Sequence, residues 1–253
     1  MELLQKLIFL CPLLFLAGVI DGISGGGGII ALPAYLMSGL PVHFAYGCNK
    51  MQSCIGTFSA LVHYGREGYL DLKPSLLASV FAVIGSAVAT RVVLLLSDSL
   101  LKIVIAVCMC FILCLTFFIR KITTREVRQI ELSPENTLRC LTAGLLLGLY
   151  DGFFGPGGGT VALMLFALLF GYDVRTATGN GKVVIVVSNL IALVHYIVHK
   201  SILFEIAVPA TLFNVLGCRL GAKLAVKNGK KLVGKMLLGV VALVVVQALI
   251  KLV

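Results

Sequence analysis

The residues best suited to chemistry come in pairs. Asp21 and Asp151 each precede a run of glycines, in DGISGGGG and DGFFGPGGG. Lys50 and Lys182 follow those runs, in GCNK and GNGK, with Asn49 and Asn180 close by. A glycine run that opens a helix leaves backbone N–H groups unpaired at the positive end of the helix dipole. It also removes the side chains that would block approach. Gly25, Gly26, Gly27 and Gly28, with Gly157, Gly158 and Gly159, are therefore candidate anion-binding positions. Asn49, Lys50, Asn180 and Lys182 are the candidate side-chain donors. Asp21 and Asp151 would repel an anion. Two roles are open to them: a protonatable coupling group, or capping of unwound backbone. The lysines could instead snorkel to an interface. The glycines could instead serve close helix packing.

The pairing extends along the chain. Asp21 and Gly22 match Asp151 and Gly152 at an offset of 130. Two residues are then inserted, and the offset becomes 132. At that offset Gly47 matches Gly179, Lys50 matches Lys182, and Gly85 matches Gly217. ALVHY from Ala60 to Tyr64 recurs letter for letter from Ala192 to Tyr196. We read two homologous repeats, 1–121 and 138–253, joined by a charged linker at 122–137. The N-terminal apolar run is part of the fold rather than a cleaved signal, because it has a counterpart in mid-chain.

The elements that must position these residues are apolar helices. Hydrophobic residues make up 59% of the chain and charged ones 13%, with a mean hydropathy of +1.06. Soluble domains carry roughly 25% charged residues. Soluble enzymes, disordered chains and collagen-like chains are excluded. Each repeat reads as a Gly-broken segment followed by three long helices. These are expected near 44–64, 74–96 and 100–119, and near 177–198, 203–225 and 232–250. After each break only 11–12 residues remain, about 17–18 Å of helix. A bilayer core is about 30 Å thick. The broken segments are thus expected to enter the membrane and return to the same side. Loop charge agrees. With re-entrant breaks, 15 Lys and Arg lie on one side and 6 on the other. With breaks that cross once, the division is 10 and 11. The positive-inside rule favours the re-entrant arrangement. Each repeat then crosses three times, so the repeats are inverted and both termini lie outside. The expected fold is an all-α polytopic membrane protein of two inverted repeats.

Other residues carry weaker signals. The net charge of +10 sits in short loops, so it reads as membrane orientation and not as nucleic-acid binding. Cys11, Cys48, Cys54, Cys108, Cys110, Cys114, Cys140 and Cys218 form no CxxC pair. They read as small apolar residues rather than a metal or redox site. No cofactor motif occurs. His63 and His195 read as interfacial anchors with their tyrosines, or as proton relays. Arg91 and Lys223 follow small-residue helices that suggest tight packing with surface charge.

DGISGGGGIIALPAYL with GCNKMQS, and DGFFGPGGGTVALMLF with GNGKVV, resemble the TauE/SafE family of sulfite-exporter-like membrane proteins. The resemblance covers essentially the whole chain. Pro156 stands where the first repeat has Gly26, so the two-fold match is not complete. The resemblance implies transport of a small sulfur-containing or organic anion across the bacterial cytoplasmic membrane, coupled to protons. Bottom-up, inverted repeats with broken helices indicate a secondary transporter with its site at the repeat interface. The expected partners are that anion and the lipid bilayer. Both a monomer and a homodimer are compatible with the sequence. The alternatives are a passive anion channel of the same architecture and a purely structural membrane protein. An intramembrane enzyme using Ser24 and a histidine is disfavoured, because Phe154 occupies the position that matches Ser24.

Overall fold

The computed structural model describes residues 2–119 and 129–227, with backbone alone over 109–119. Among these residues the chain is helical, without strands. The N-terminal half of the chain contains α1 (Leu3–Ser24), α2 (Gly28–Met37), α3 (Val42–Arg66), α4 (Leu72–Leu95) and α5 (Asp98–Ile119). The C-terminal half contains α6 (Pro134–Phe153), α7 (Gly158–Phe170) and α8 (Val174–Val198), then α9 over 204–227. The expected helix at 232–250 and linker residues 122–128 lie outside the described residues.

Helix boundaries follow local chemistry. Ser133 caps α6, its Oγ accepting from the Asn136 N–H at 3.2 Å, with Pro134 in the first turn. Asp173 caps α8 by accepting from the Arg175 N–H at 2.9 Å. The short arms α2 and α7 have 10 and 13 residues, as expected for pieces that cannot span. The arms before the breaks are different. α1 and α6 run 22 and 20 residues, about 30 Å or more, and are not half-helices. Their apolar runs meet no breaker before the glycines, apart from Pro12 in α1.

α4 is built inside-out relative to a helix of a soluble protein. Its buried face is small and polar, with Ser75, Ser79, Ala82, Ser86 and Thr90. Its exposed face is Leu76, Val80, Ile84, Val88 and Val92. Ile84 is 51% exposed while Ser86 is 0% exposed. That distribution is stable only where the surroundings are themselves apolar. α1, α4 and α8 are each long and apolar enough to cross a bilayer.

Positions matched at the offset of 132 make equivalent helix contacts. Gly85 of α4 lies against Leu145 and Leu149 of α6. At the matching place, Gly217 of α9 lies against Phe15 and Val19 of α1. The equivalent helices α3 and α8 run antiparallel. Gly47, near the start of α3, abuts the Ser201 carbonyl just past α8. Gly179, near the start of α8, abuts the Tyr69 carbonyl just past α3. The small-residue helices thus pack closely, while Arg91 and Lys223 remain exposed.

A polar junction joins three connections at one end of the molecule. Asp71, before α4, accepts from the Tyr172 hydroxyl at 2.7 Å and the Ile130 N–H at 2.9 Å. The Asp71 N–H donates to Asn180 Oδ1 at 2.8 Å. Burial and the Asp71 carboxylate push the Tyr172 phenol well above its ordinary range, so it stays a donor. Asp71→Ala leaves that hydroxyl and the Ile130 N–H unpaired and should cost about 2–3 kcal/mol. Tyr172→Phe removes one of those two bonds to the carboxylate and should cost less, about 1.5 kcal/mol. Melting temperatures in detergent would test the ranking; equal losses would contradict it.

Candidate functional site

The two glycine breaks meet face to face. A Cβ added at Gly25 would overlap the Gly159 backbone, and one at Gly28 would come within 2.8 Å of the Pro156 Cα. The Thr160 hydroxyl donates to the Ser24 carbonyl at 3.2 Å, across the repeats. The N-terminal ends of α2 and α7 are thereby brought together. A narrow polar cleft opens there, with room for about one water molecule.

The cleft walls come from repeat-matched positions. Asp21 and Asp151 match, as do Gly25 and Gly155, Ser53 and Ile185, and Thr57 and Asn189. Gly28, Gly159 and Asn49 complete the lining. Gly26, Gly27, Gly157 and Gly158 do not line it. Gly27 is occupied by the Ala17 carbonyl and Asp21 Cβ, and Gly158 by Asp151 Oδ1 and Ile185. Asn180 lies apart, in the Asp71 junction.

Lys50 and Lys182 sit just behind the walls, each 1% exposed, so neither snorkels to an interface. Each lies eight residues into its 25-residue helix, about 12 Å from the start, within the middle of the bundle. Each reaches across to the other repeat. Lys50 Nζ donates to the Asp151 carbonyl, and Lys182 Nζ donates to the Asp21 carbonyl at 2.7 Å. Those carbonyls belong to the last turns of α6 and α1, where a cation complements the helix dipole.

The carboxylates are held differently. Asp151 Oδ2 accepts from Lys50 Nζ at 3.0 Å and from the Ser188 hydroxyl at 2.7 Å. Lys50 also donates to Asn189 Oδ1 at 2.9 Å. Asp21 Oδ2 accepts from the Thr57 hydroxyl at 2.8 Å and faces Cys218 Sγ at 3.7 Å. Among the described residues no carboxylate lies within ion-pair distance of Lys182. The Lys182 ammonium instead stands 5.9 Å from the centre of the Tyr64 ring.

Sequence reasoning missed Ser53, Thr57, Ser188 and Asn189. Thr57 and Asn189 are equivalent at the offset of 132, so a search for matched polarity would have found them. The tyrosines of ALVHY are not interfacial anchors. Tyr64 and Tyr196 are fully buried, and the Tyr64 hydroxyl reaches the Gly22 and Ile23 carbonyls at 3.3 Å. The end of α1 supplies carbonyls that need a donor, which draws that ring inward. His63 and His195 are half-buried and do not line the cleft.

A family model for the sulfite exporter TauE/SafE matches residues 10–248. The chain belongs to the TauE/SafE family of membrane transporters. A probable membrane transporter protein of Haemophilus influenzae is 31% identical over 226 residues, covering 88% of this chain and 86% of its own. The probable membrane transporter protein ORF9 of a Sinorhizobium species is 31% identical, covering 91% and 87%. The probable membrane transporter protein YfcA of Escherichia coli is 29% identical, covering 94% and 90%. No solved structure matches the chain.

Proposed function

We propose that this TauE/SafE protein is a secondary transporter for a small sulfur-containing or organic anion in the cytoplasmic membrane. Transport is coupled to protons, and the two matched acids beside the cleft, Asp21 and Asp151, are the candidate coupling groups. The observation that carries this reading is the pair of buried lysines, Lys50 and Lys182, at the meeting of two half-helix N-termini. A cation in an apolar interior is costly unless it serves a ligand or a partner. The two ammonium groups offset the Asp21 and Asp151 carboxylates beside them, and the two positive dipole ends leave an excess of positive charge that a small anion would neutralise.

The narrow cleft supports alternating access over a standing pore. Space for about one water cannot hold an oxyanion, so the repeats must part around it. The reading includes inverted repeats with both termini outside. Loop contacts support it. If each break crossed once, the loop after α3 and the start of α8 would lie on opposite faces of the membrane. Instead Arg175 Nη1 donates to the Tyr69 hydroxyl at 2.7 Å, and the Tyr172 hydroxyl donates to Asp71 at 2.7 Å. On the other face, Gly47 meets Ser201, again as re-entrant breaks require.

The test is flux in proteoliposomes with sulfite, thiosulfate, sulfoacetate and acetate, with and without a pH gradient. Uphill, saturable movement of one anion driven by the gradient is expected. Downhill flux alone would identify a channel, and no flux of any anion would overturn the reading. A C-terminal reporter active only in the cytoplasm would overturn the predicted orientation.

A further inference from the structure

The repeats match in sequence but not in pairing. All three protons of the Lys50 ammonium are committed, to the Asp151 carbonyl, Asp151 Oδ2 and Asn189 Oδ1. Among the described residues Lys182 donates to the Asp21 carbonyl alone, which commits one of its three protons there. The cause lies on α3 and α8. Ser188 and Asn189 draw Asp151 and Lys50 together, whereas the matching Gly56 has no side chain and Thr57 holds Asp21 away.

We infer that the transported anion and the Asp151 carboxylate compete for the Lys50 ammonium, so that proton coupling resides in the Asp151–Lys50 pair. Lys182 supplies the standing positive charge. This rests on the anion-transporter reading above. An anion that takes Lys50 displaces Asp151 Oδ2. The freed carboxylate sits 2% exposed beside a cleft holding about one water. It takes up a proton there rather than persist as an unpaired buried charge. Ser188 can then turn from donor to acceptor for the new O–H. One proton enters per anion, and both leave together when the pair reforms.

The groups facing Asp151 leave few rivals for that proton. α3 presents Lys50 and Cys54. α8 presents the uncharged Ser188 and Asn189, α7 presents Gly158, and α4 presents Ser86, Ala89 and Thr90 around the same turn. Tyr150 is its neighbour on α6, and Asp21 lies across the cleft.

The experiment measures thiosulfate uptake by the full chain in proteoliposomes across a pH series. Thiosulfate keeps its charge near neutrality, so the protein alone carries the pH dependence. Wild-type apparent affinity should rise by about tenfold per pH unit as pH falls, the signature of one proton taken up with the anion. Asp151→Asn should flatten that slope, and Asp21→Asn should retain it. A slope that survives Asp151→Asn overturns the inference while leaving the transporter reading intact. A wild type that moves neither thiosulfate nor sulfite removes both. Should Asp151→Asn fail to fold, Ser188→Ala loosens the carboxylate without changing charge. Its apparent thiosulfate affinity should rise severalfold, and an unchanged or weaker affinity overturns the inference.

Discussion

Gly25→Ala should largely abolish recovery of folded protein, while Gly26→Ala, one residue on, should be nearly silent. Gly25 has φ +80°, a left-handed conformation that costs a side-chain-bearing residue about 1–2 kcal/mol. Its missing Cβ is also the space in which the Gly159 backbone sits. No rotamer change relieves a backbone overlap between two repeats, so strain of a further 1–3 kcal/mol or so is expected. Gly26 differs on both counts. A Cβ there meets Ile20 at 3.4 Å and Thr160 at 3.5 Å, which is ordinary contact. Gly39 separates the two terms, having φ +82° with no atom within 4 Å of an added Cβ. Gly39→Ala should therefore show the backbone cost alone. Size-exclusion profiles and melting temperatures in detergent would rank Gly25 worst, then Gly39, then Gly26. Equal losses at Gly25 and Gly26 would mean that inter-repeat packing does not explain the run. A folded Gly26→Ala without flux would assign that glycine to the ligand.

The glycine run illustrates what could be read in advance. Its duplication, with Asp before and Lys after, located both breaks and the short arms α2 and α7. Periodic apolar segments placed α3, α4, α5 and α8 within a few residues. What the linear pattern could not convey was which repeat each side chain would reach. Lys50 lies near its own Gly25–Gly28 in sequence, yet it pairs with Asp151, 101 residues away. Equivalent helices in antiparallel contact send each lysine to the other repeat's aspartate, and that exchange exists only in three dimensions. Matched identity was also a poor guide where the repeats diverge. Asn49, one residue before Lys50, lines the cleft, whereas Asn180, two residues before Lys182 and matched to Cys48, is the partner of the Asp71 N–H. Thr57 and Asn189 differ in name but share a wall. The arms before the breaks, α1 and α6, are long helices rather than re-entrant halves, because unbroken runs of 22 and 20 residues precede the glycines.

The same asymmetry sets the second large effect. Lys50→Met should destabilise the protein more than Lys182→Met, although the two lysines are equivalent in sequence. Removing Lys50 strands the Asp151 carboxylate at 2% exposure with the Ser188 hydroxyl as its remaining donor. Breaking a buried pair from one side costs about 3–5 kcal/mol. Removing Lys182 forfeits a hydrogen bond to a carbonyl that the Gly25 N–H also reaches, at 2.8 Å. That loss, of one bond from a charged donor, is about 1.5–3 kcal/mol, below the cost of stranding Asp151. The double variant Lys50→Met with Asp151→Leu removes the stranded charge and should recover most of the melting temperature. Equal destabilisation by the two single variants would contradict the pairing. Flux separates stability from function. Lys182→Met should remain folded and lose anion affinity, because a buried ammonium held at the Asp21 carbonyl does less for the fold than for an anion. If its thiosulfate affinity matches wild type, Lys182 is a helix cap, and the positive centre of the transporter reduces to Lys50 and the two helix ends.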